Sequence, residues 1–578
     1  MESLTTFSSS RASRIIHGHS QREYGAARRW LKLICGVGIA ALLGLAAVTG
    51  GCGSQESEEP SPGATSLGVK LQATTAPGTG ALDHITWNLP MGEPTTLDPA
   101  KAGDHSPCLM VSQLNDPLVR YTPDWELVPG IAESWEYVDP LTLVFKIRQN
   151  ARFWNGNPVT AADVAFSLQR HKNPETGSLW SVLYVNVDSI TQTGPWEVTV
   201  KLSQPDELFL KELGTNCGSI VEKAFVEDVG EANYGSGMNV MGSGPYKLVA
   251  WKPGSEMVLE ANSDHWDPNL QPKVQKVTVK FITETSAVVN GLLSGELDGA
   301  YEVPPTAIPA LESASSGKLY FGPSLLISEL LISNPDGPLG NPEIRRALSM
   351  AIDRAAIAER VFNGAAMPNK TLTPPAAWDP EALSVYEEAY ESIPGDTPDV
   401  AAAKELLSSQ PDASEPVVLT YIAGDQRGSQ VASIVQQAGR DIGLTIELRP
   451  MSAMDVSNFW YVPSYREGID MGFTSGWLDI PDPLDNLFLF FGGDALFNYI
   501  GYSNREVEEK LDQARQTYDP IERATLIVEA QEIFTNDTVV IPLTSNAEIL
   551  FMNNRISGAP VSWPFMWLPS LAMIGGTE

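Results

Sequence analysis

The sequence contains few of the residues that catalysis and metal binding use most. Its 578 residues include four cysteines and six histidines. No HExxH or other metal-ligand spacing occurs, and neither a G-x-S-x-G nucleophile motif nor a G-x-x-x-x-G-K-[ST] phosphate loop is present. We therefore expect no catalytic residue, no metal site and no cofactor. A pair of carboxylates of the glycosidase type stays open, because 71 acidic residues make coincidental pairs common.

Positive charge is also scarce. The chain has 38 lysines and arginines against 71 aspartates and glutamates, which gives a formal net charge of −33. Such a field repels phosphate groups, so a nucleic-acid partner is excluded. The hydrophobic content of 43% and the charged content of 19% are those of an ordinary globular protein. Cores stop growing at about 250–300 residues, so a chain of this length predicts at least two lobes.

A long apolar run occurs only near the N-terminus. Basic residues precede the run LICGVGIAALLGLAAV, which is short and glycine-rich for a membrane span and typical of a secretory signal. The run ends at VTGGCGS, which resembles a bacterial lipobox with Thr49 in the usual place of leucine. We predict a signal peptide over 1–51, lipidation of Cys52, and a disordered tether over 52–80 that is rich in Ser, Gly, Pro and Glu. An ordinary signal peptide with an unmodified Cys52, and general or twin-arginine export, stay open.

Two cysteines belong to the predicted exported body. Cys108 and Cys217 lie in an oxidising compartment if the chain is exported, so they can form a disulfide. The sequence does not give the Cα separation that a bridge needs. Pairing and two free thiols therefore both stay open.

Strand and helix patterns alternate along the body. The pattern over 417–424, 429–443 and 444–451 predicts strand, helix and strand, which implies a parallel pair. Thr160 and Asp163 have the spacing of a capping box. The stretch 341–364 predicts one helix, with Asn341 as its N-cap and Asn363-Gly364 as its stop. These patterns predict a mixed α/β fold.

Several motifs occur together in one order and resemble the extracellular solute-binding proteins of peptide- and nickel-type ABC importers. They include EPTTLDPA (93–100), ELVPGIAESWE (126–136), GSGPYKLVAWKPG (242–254), LLSGELDGA (292–300), NPEIRRALSMAIDRAAIA (341–358) and GWLDIPDPLDN (476–486). The resemblance implies an α/β, two-lobed and hinged periplasmic-binding-protein fold, with mixed sheets flanked by helices and a subdomain inserted in the first lobe. The implied boundaries are 81–324 for lobe I with its insertion at about 126–235, 325–544 for lobe II, and 545–578 for a return to lobe I.

The same resemblance nominates ligand-binding residues. Asp479 lies where peptide-binding members place the carboxylate that receives the ligand's α-ammonium, and Trp477 would form a wall of the pocket. A loop-bracing role for Asp479 and core packing for Trp477 stay open. We read Asp482-Pro483 as turn chemistry and Asp485 as a helix cap. Glu93, Thr95 and Thr96 lie in the loop after the first strand and are further candidates, with a strand-ending turn as the open alternative. Tyr301 and Glu302 are weaker candidates near the hinge. Trp460, in an aromatic cluster of the second lobe, is a candidate for the cleft lining, with core packing as the open alternative.

The implied function is capture without chemistry. A substrate-binding lipoprotein would close on a solute, most simply a di- or oligopeptide, and deliver it to permease subunits in the membrane. It would be a monomer that faces the periplasm or the cell exterior and touches the membrane through its lipid alone. The alternatives are a binder of a nickel chelate, a sugar or another solute with the same fold, and a secreted hydrolase.

Overall fold

The structure is a computed structural model that describes residues 67–395, 397–491 and 495–577. The predicted signal peptide, Cys52 and the first part of the predicted tether lie outside the described residues. Within the described part of the chain, no helix combines the length and the apolar character needed to cross a membrane.

Strands are distributed along the whole described chain. In chain order they are β1 (Leu82–Asn88), β2 (Val119–Tyr121), β3 (Leu127–Pro129), β4 (Ala132–Asp139), β5 (Thr142–Ile147), β6 (Val187–Gly194), β7 (Glu197–Leu202), β8 (Tyr246–Lys252), β9 (Glu256–Ala261), β10 (Val274–Lys280), β11 (Gly299–Ala300), β12 (Gly317–Gly322), β13 (Leu326–Ile332), β14 (Ala366–Pro368), β15 (Val417–Ile422), β16 (Ile446–Met451), β17 (Met471–Trp477), β18 (Val540–Asn546), β19 (Glu548–Asn553), β20 (Ile556–Ser557) and β21 (Gly575–Gly576).

Helices alternate with these strands. They are α1 (His105–Leu114), α2 (Ala161–Arg170), α3 (Glu207–Glu212), α4 (Lys223–Val229), α5 (Thr285–Ser294), α6 (Ile308–Leu311), α7 (Pro342–Ala351), α8 (Arg354–Arg360), α9 (Leu383–Ser392), α10 (Val400–Ser408), α11 (Gln426–Ile442), α12 (Ala453–Tyr461), α13 (Pro483–Phe490), α14 (Arg505–Gln516), α15 (Pro520–Asn536) and α16 (Ser570–Met573).

Three sheets of four or more strands organise the molecule. The first has the order β12-β19-β11-β1-β10-β9-β8, and the second has the order β14-β18-β13-β17-β15-β16. The third, β4-β5-β7-β6, is antiparallel and lies in the chain between β1 and β8 of the first sheet. The mixed α/β fold with an insertion is therefore confirmed.

The two larger sheets draw on different parts of the chain. The first sheet draws on 82–322 and 548–553, whereas the second draws on 326–546. β13 and β18 lie near the two predicted changes of lobe, at 325 and 545. The exact lobe boundaries stay a prediction.

Local chain signals account for several elements. β15 and β16 form the predicted parallel pair. Thr160 and Asp163 form the predicted capping box at α2. The single helix predicted over 341–364 is wrong, because the chain forms α7 and α8 with Ile352 extended between them. The side chain of Asp353 caps α8 by accepting the N–H of Ala356, so a second helix begins there.

The predicted disordered tether is too long at its C-terminal end. Residues 67–80 pack on the body, with bridges from Leu71 to Phe321 and from Gly80 to Gly576. Thr75 is buried, and its backbone N–H donates to the carbonyl of Ala559 at 3.0 Å. The polar composition predicted disorder because the local sequence does not reveal these distant backbone partners.

Two large cores hold the sheets. The larger core combines the first and third sheets with side chains of α13, α14 and α15. The second core lies between the second sheet and helices α7 and α11. Helices α13 to α15 follow β17 of the second sheet but pack in the larger core, so the loop before α13 lies where the two parts of the molecule meet.

Candidate functional site

The acidic loop GWLDIPDPLD connects β17 to α13. β17 ends at Trp477, and α13 begins at Pro483, whose missing N–H costs nothing at a first helical position. The N-cap is Asp482, whose carboxylate accepts the N–H of Leu484 at 3.0 Å. The prediction that Asp485 caps the helix is therefore wrong, because Asp485 lies in the first turn.

Asp482 is an internal counter-ion. Its side chain is fully buried, and it pairs with Lys211 at 2.9 Å and with Arg523. Burial alone would raise the pKa of Asp482, but the two cations lower it to about 2. Lys211 belongs to the inserted subdomain and Arg523 to α15, so the carboxylate connects two distant parts of the chain.

Asp479 is held in place, but it has no ion-pair partner within the described residues. Trp477 Nε1 donates to its Oδ1 at 3.3 Å, its own N–H donates to Asp485 Oδ2 at 2.6 Å, and its carbonyl accepts Trp567 Nε1 at 2.8 Å. Among the described residues no lysine or arginine forms an ion pair with this half-buried carboxylate. Burial raises the pKa of Asp479 to about 6, although Trp477 and His105 oppose the shift.

Two further carboxyl groups lie close to Asp479. Glu212 is buried, and within the described residues neither of its carboxylate oxygens has a hydrogen-bond partner. Burial, and then Asp485 and Asp479, raise the pKa of Glu212 well above its usual value. Burial and Asp479 raise the pKa of Asp485 in the same way. The carboxyl groups of Asp479, Asp485 and Glu212 therefore lie close together, and their raised pKa values favour protonation within this group.

The two cysteines of the body lie near this acidic group as free thiols. Cys108 and Cys217 are both buried and are not joined, so the structure does not form the disulfide left open by the sequence. Cys217 Sγ donates to the backbone carbonyl of Glu212 at 3.0 Å. Burial raises the pKa of both thiols, which makes them poor nucleophiles.

His105 joins the aromatic and acidic parts of the site. Its Nδ1 lies 2.5 Å from Glu302 Oε1, and its ring packs edge-on against Trp477 with centroids 4.6 Å apart. Burial alone would lower the pKa of His105, but Glu302 and other nearby carboxylates raise it overall. Sequence reasoning noted only that the histidines have no metal-ligand spacing. A lone histidine has no spacing that reveals a partner 197 residues away.

A cavity of about 520 Å³ opens beside His105 and Trp477. This volume is within the range of about 300–1,000 Å³ that is usual for small-ligand sites. Its walls come from the ends of strands in both large sheets and from the starts of α5 and α11. Among the lining residues are Met91, His105, Glu284, Glu302, Leu326, Asp425, Arg427, Ser475, Trp477, Asn546 and Glu548.

Glu548 is a cavity residue that sequence reasoning missed. It is fully buried, and its Oε1 accepts the backbone N–H of Glu302 at 2.7 Å. Its Oε2 has no hydrogen-bond partner within the described chain. Burial and the charge of Glu302 raise the pKa of Glu548 well above its usual value. No motif marks this residue, because a glutamate at the start of a strand is ordinary in sequence.

The candidates in the loop after β1 lie away from the cavity. Glu93 is exposed, and its carboxylate accepts Trp251 Nε1 at 2.7 Å and the N–H of Gly254 at 2.9 Å. It therefore connects its loop to the β8–β9 turn. Thr95 is exposed, and the Thr96 hydroxyl accepts the amide two residues further on at 3.0 Å. The structure does not bring these three residues to the cavity.

Two aromatic candidates have packing roles. Tyr301 is buried, donates its hydroxyl to the carbonyl of Pro560 at 2.9 Å, and stacks on Phe565 with centroids 4.1 Å apart. Trp460 is half-buried and packs edge-on against Phe459. Neither lines the cavity, whereas Trp477 does.

The arrangement suits binding of a cation. Carboxyl groups outnumber cations both around Asp479 and in the cavity wall, and a buried carboxylate gains most from a charged donor. Within the described residues no cluster of histidine, cysteine and carboxylate side chains could hold a metal ion.

Comparison with a family model gives one match. The model describes bacterial extracellular solute-binding proteins, family 5, and it matches residues 126–498. The match includes the predicted insertion, the strands of the second sheet other than β18, and the acidic loop.

Curated relatives and solved structures agree with that match. The chain is 26% identical over 474 residues to the glutathione-binding protein GsiB of Escherichia coli strain K12, covering 80% of this chain and 89% of the relative. It is 24% identical over 539 residues to the oligopeptide-binding protein OppA of Bacillus subtilis, covering 88% and 93%. The ABC transporter substrate-binding protein CtaP of Listeria monocytogenes has the same fold, with a TM-score of 0.76, 23% identity, and coverage of 86% of this chain and all of CtaP.

Proposed function

The chain belongs to the bacterial extracellular solute-binding proteins, family 5, and from that membership we propose that it captures a di- or oligopeptide between its two lobes. Proteins of this kind serve ABC importers and are not enzymes. The glutathione and oligopeptide named for two relatives support a peptide as the solute. The proposed lobes are 81–324 with 545–578, and 325–544, with the insertion at about 126–235.

The surroundings of Asp479 carry this proposal. A half-buried carboxylate without a cationic partner is costly until a ligand supplies one. A peptide's α-ammonium is a compact cation with three N–H donors, and it would form charge-assisted hydrogen bonds to Asp479. Trp477, which contacts both Asp479 and the cavity, would be the wall beside it.

Capture would work by a shift between open and closed lobes. The solute contacts both lobes only when they are closed, so its binding free energy favours the closed state. A micromolar dissociation constant corresponds to about −8.2 kcal/mol, which is enough to shift an equilibrium of a few kcal/mol. The closed form would then be recognised by permease subunits, and the protein would act as a monomer.

Calorimetry with matched peptides tests the role of Asp479. We expect trialanine with a free amine to bind more tightly than N-acetyl-trialanine by a factor of at least about 30, because loss of a buried charge partner costs about 2–5 kcal/mol. Asp479→Asn should remove most of this difference. Asp228→Asn, an exposed change in α4, should leave it intact.

The outcomes separate the alternatives. Equal binding of both peptides, with no change in Asp479→Asn, would contradict the ammonium role. Binding of no free peptide, together with binding of a nickel chelate or a sugar, would overturn the peptide proposal. Native mass spectrometry of protein purified without refolding would identify a retained solute in either case.

Export and anchoring complete the proposal. Cleavage after residue 51 and lipidation of Cys52 would place the body outside the cell membrane on a tether that ends near residue 66. Cells that express wild type should incorporate labelled palmitate into the protein, and Cys52→Ser should abolish this. Release of the variant into the soluble fraction is expected, and retention of label in the variant would contradict lipidation at Cys52.

A further inference from the structure

The wall of the cavity that belongs to the first sheet contains a pair of carboxyl groups. Glu302 follows β11, and Glu548 begins β19, the strand paired with β11. The backbone N–H of Glu302 donates to Glu548 Oε1 at 2.7 Å, which holds the two residues side by side. Both line the cavity.

Within the described residues, Glu302 has a charged partner and Glu548 has none. Glu302 has His105 as its partner at 2.5 Å. Glu548 forms no ion pair, and its buried Oε2 has no hydrogen-bond donor. Arg427 also lines the cavity, with its Nε 4.0 Å from Asp425 Oδ2, and within the described residues this Nε has no hydrogen-bond partner. One acceptor in the wall therefore lacks a donor.

An acceptor of this kind is costly unless a proton or a ligand satisfies it. Burial and the neighbouring Glu302 raise the pKa of Glu548, which favours the protonated carboxyl group when the cavity is empty. A ligand cation that enters the cavity would replace that proton and bond to both carboxylates. An apolar or anionic group in the same place would leave the acceptor unpaired.

On these grounds we propose that Glu548 and Glu302 form a binding site for a positively charged side chain of the solute, an ammonium or a guanidinium group. This inference rests on the proposed function, because it names the class of peptide as one with a lysine-like or arginine-like residue. The site is separate from Asp479, which does not line the cavity.

A series of side-chain contacts links the two acidic positions. Glu302 contacts His105, His105 packs on Trp477, and Trp477 donates to Asp479. The histidine and the tryptophan therefore lie between the two positions. A peptide that places its α-ammonium at Asp479 can extend past Trp477 and place a cationic side chain at Glu548.

A set of tripeptides of equal length tests the side-chain site. Trialanine is compared with three peptides that carry lysine at one position each, and with three that carry norleucine, which has the same chain without the charge. We expect at least one lysine peptide to bind at least tenfold more tightly than its norleucine counterpart. Glu548→Gln should abolish that preference, so that the lysine peptide binds no more tightly than its norleucine counterpart. The exposed Glu312→Gln is the matched control and should behave as wild type.

Each outcome has one meaning. If tripeptides bind but lysine and norleucine peptides bind equally at every position, the side-chain site is overturned and the proposed function stands. If none of the seven tripeptides binds, the proposed function fails. Should Glu548→Gln not fold, Glu302→Gln and the wild-type series decide the question, since a lysine preference that persists in Glu302→Gln would also count against the pair.

Discussion

Asp479 and Asp482 lie three residues apart in one loop, yet their carboxylates have opposite surroundings. Asp482 faces two cations, Lys211 and Arg523, and its pKa falls to about 2. Asp479 has no such partner among the described residues, and its pKa rises to about 6. A buried carboxylate that the protein neutralises itself stabilises the structure, whereas one that it leaves uncompensated can receive a charge from a ligand.

The largest effect should come from replacing Asp482, the carboxylate that Lys211 and Arg523 neutralise. Asp482→Asn removes the carboxylate that Lys211 and Arg523 share and leaves Glu207 as the ion-pair partner of Lys211. Removing one partner of a buried ion pair costs about 3–5 kcal/mol. We expect a loss of this size in the free energy of unfolding, measured by urea denaturation. Asp228→Asn in an exposed position should change it by less than about 0.5 kcal/mol. A loss below about 1 kcal/mol in Asp482→Asn would mean that the triad is not structural.

Peptide binding at Asp479, the carboxylate without a lysine or arginine partner among the described residues, should depend on pH. The pKa of Asp479 is raised to about 6, so the carboxyl group is ionised above this value and protonated below it. Affinity for a free-amine peptide should therefore fall about tenfold between about pH 7 and about pH 5, because only the ionised form pairs with an ammonium. Calorimetry at both pH values measures this change. Asp479→Asn should remove the dependence, and an equal slope in the variant would assign it to other groups.

A smaller effect should appear in stability near the same residues. The raised pKa of Glu212 means that the folded protein holds this proton more tightly than the unfolded chain. The resulting stability is fully present below the unfolded value of about 4.3 and is lost as the pH rises through the folded value. Glu212→Gln should flatten this pH dependence and raise the free energy of unfolding at neutral pH by about 1 kcal/mol.

Urea denaturation at several pH values measures that effect. Glu227→Gln, in the exposed i,i+4 pair with Lys223, is the control in the same subdomain and should change stability by less than about 0.5 kcal/mol. A destabilised Glu212→Gln variant would show that the carboxyl group has a favourable partner and that this side of the loop is compensated after all.

Sequence reasoning found features whose signals are local. The capping box at Thr160 and Asp163, the N-cap at Asn341 and the parallel pair of β15 and β16 depend on spacings within a few turns or one crossover, and all three are confirmed. The order of motifs along the chain identified the fold. Errors arose where several nearby residues could begin or end a helix. Asp485 was predicted as a cap that Asp482 provides, and the helix predicted over 341–364 is divided by a second N-cap at Asp353.

The candidate site was only partly predictable. Trp477 lines the cavity and donates to Asp479, and the roles of both residues toward a ligand stay predictions. Tyr301 and Glu93 were nominated by motif position and Trp460 as part of an aromatic cluster, but each contacts other residues of the protein and none lines the cavity. His105 and Glu548 were missed because the partners that define them are distant in sequence.

The sequence by itself determined the class of molecule, since composition, charge and the order of motifs exclude nucleic-acid binding and predict an α/β solute-binding protein. Only the tertiary structure decided which carboxylates in a very acidic chain are neutralised. That distinction depends on cations and backbone groups that folding brings from positions far away, as Lys211 and Arg523 reach Asp482. Electrostatic energies depend on distance and burial, which residue spacing along the chain does not specify.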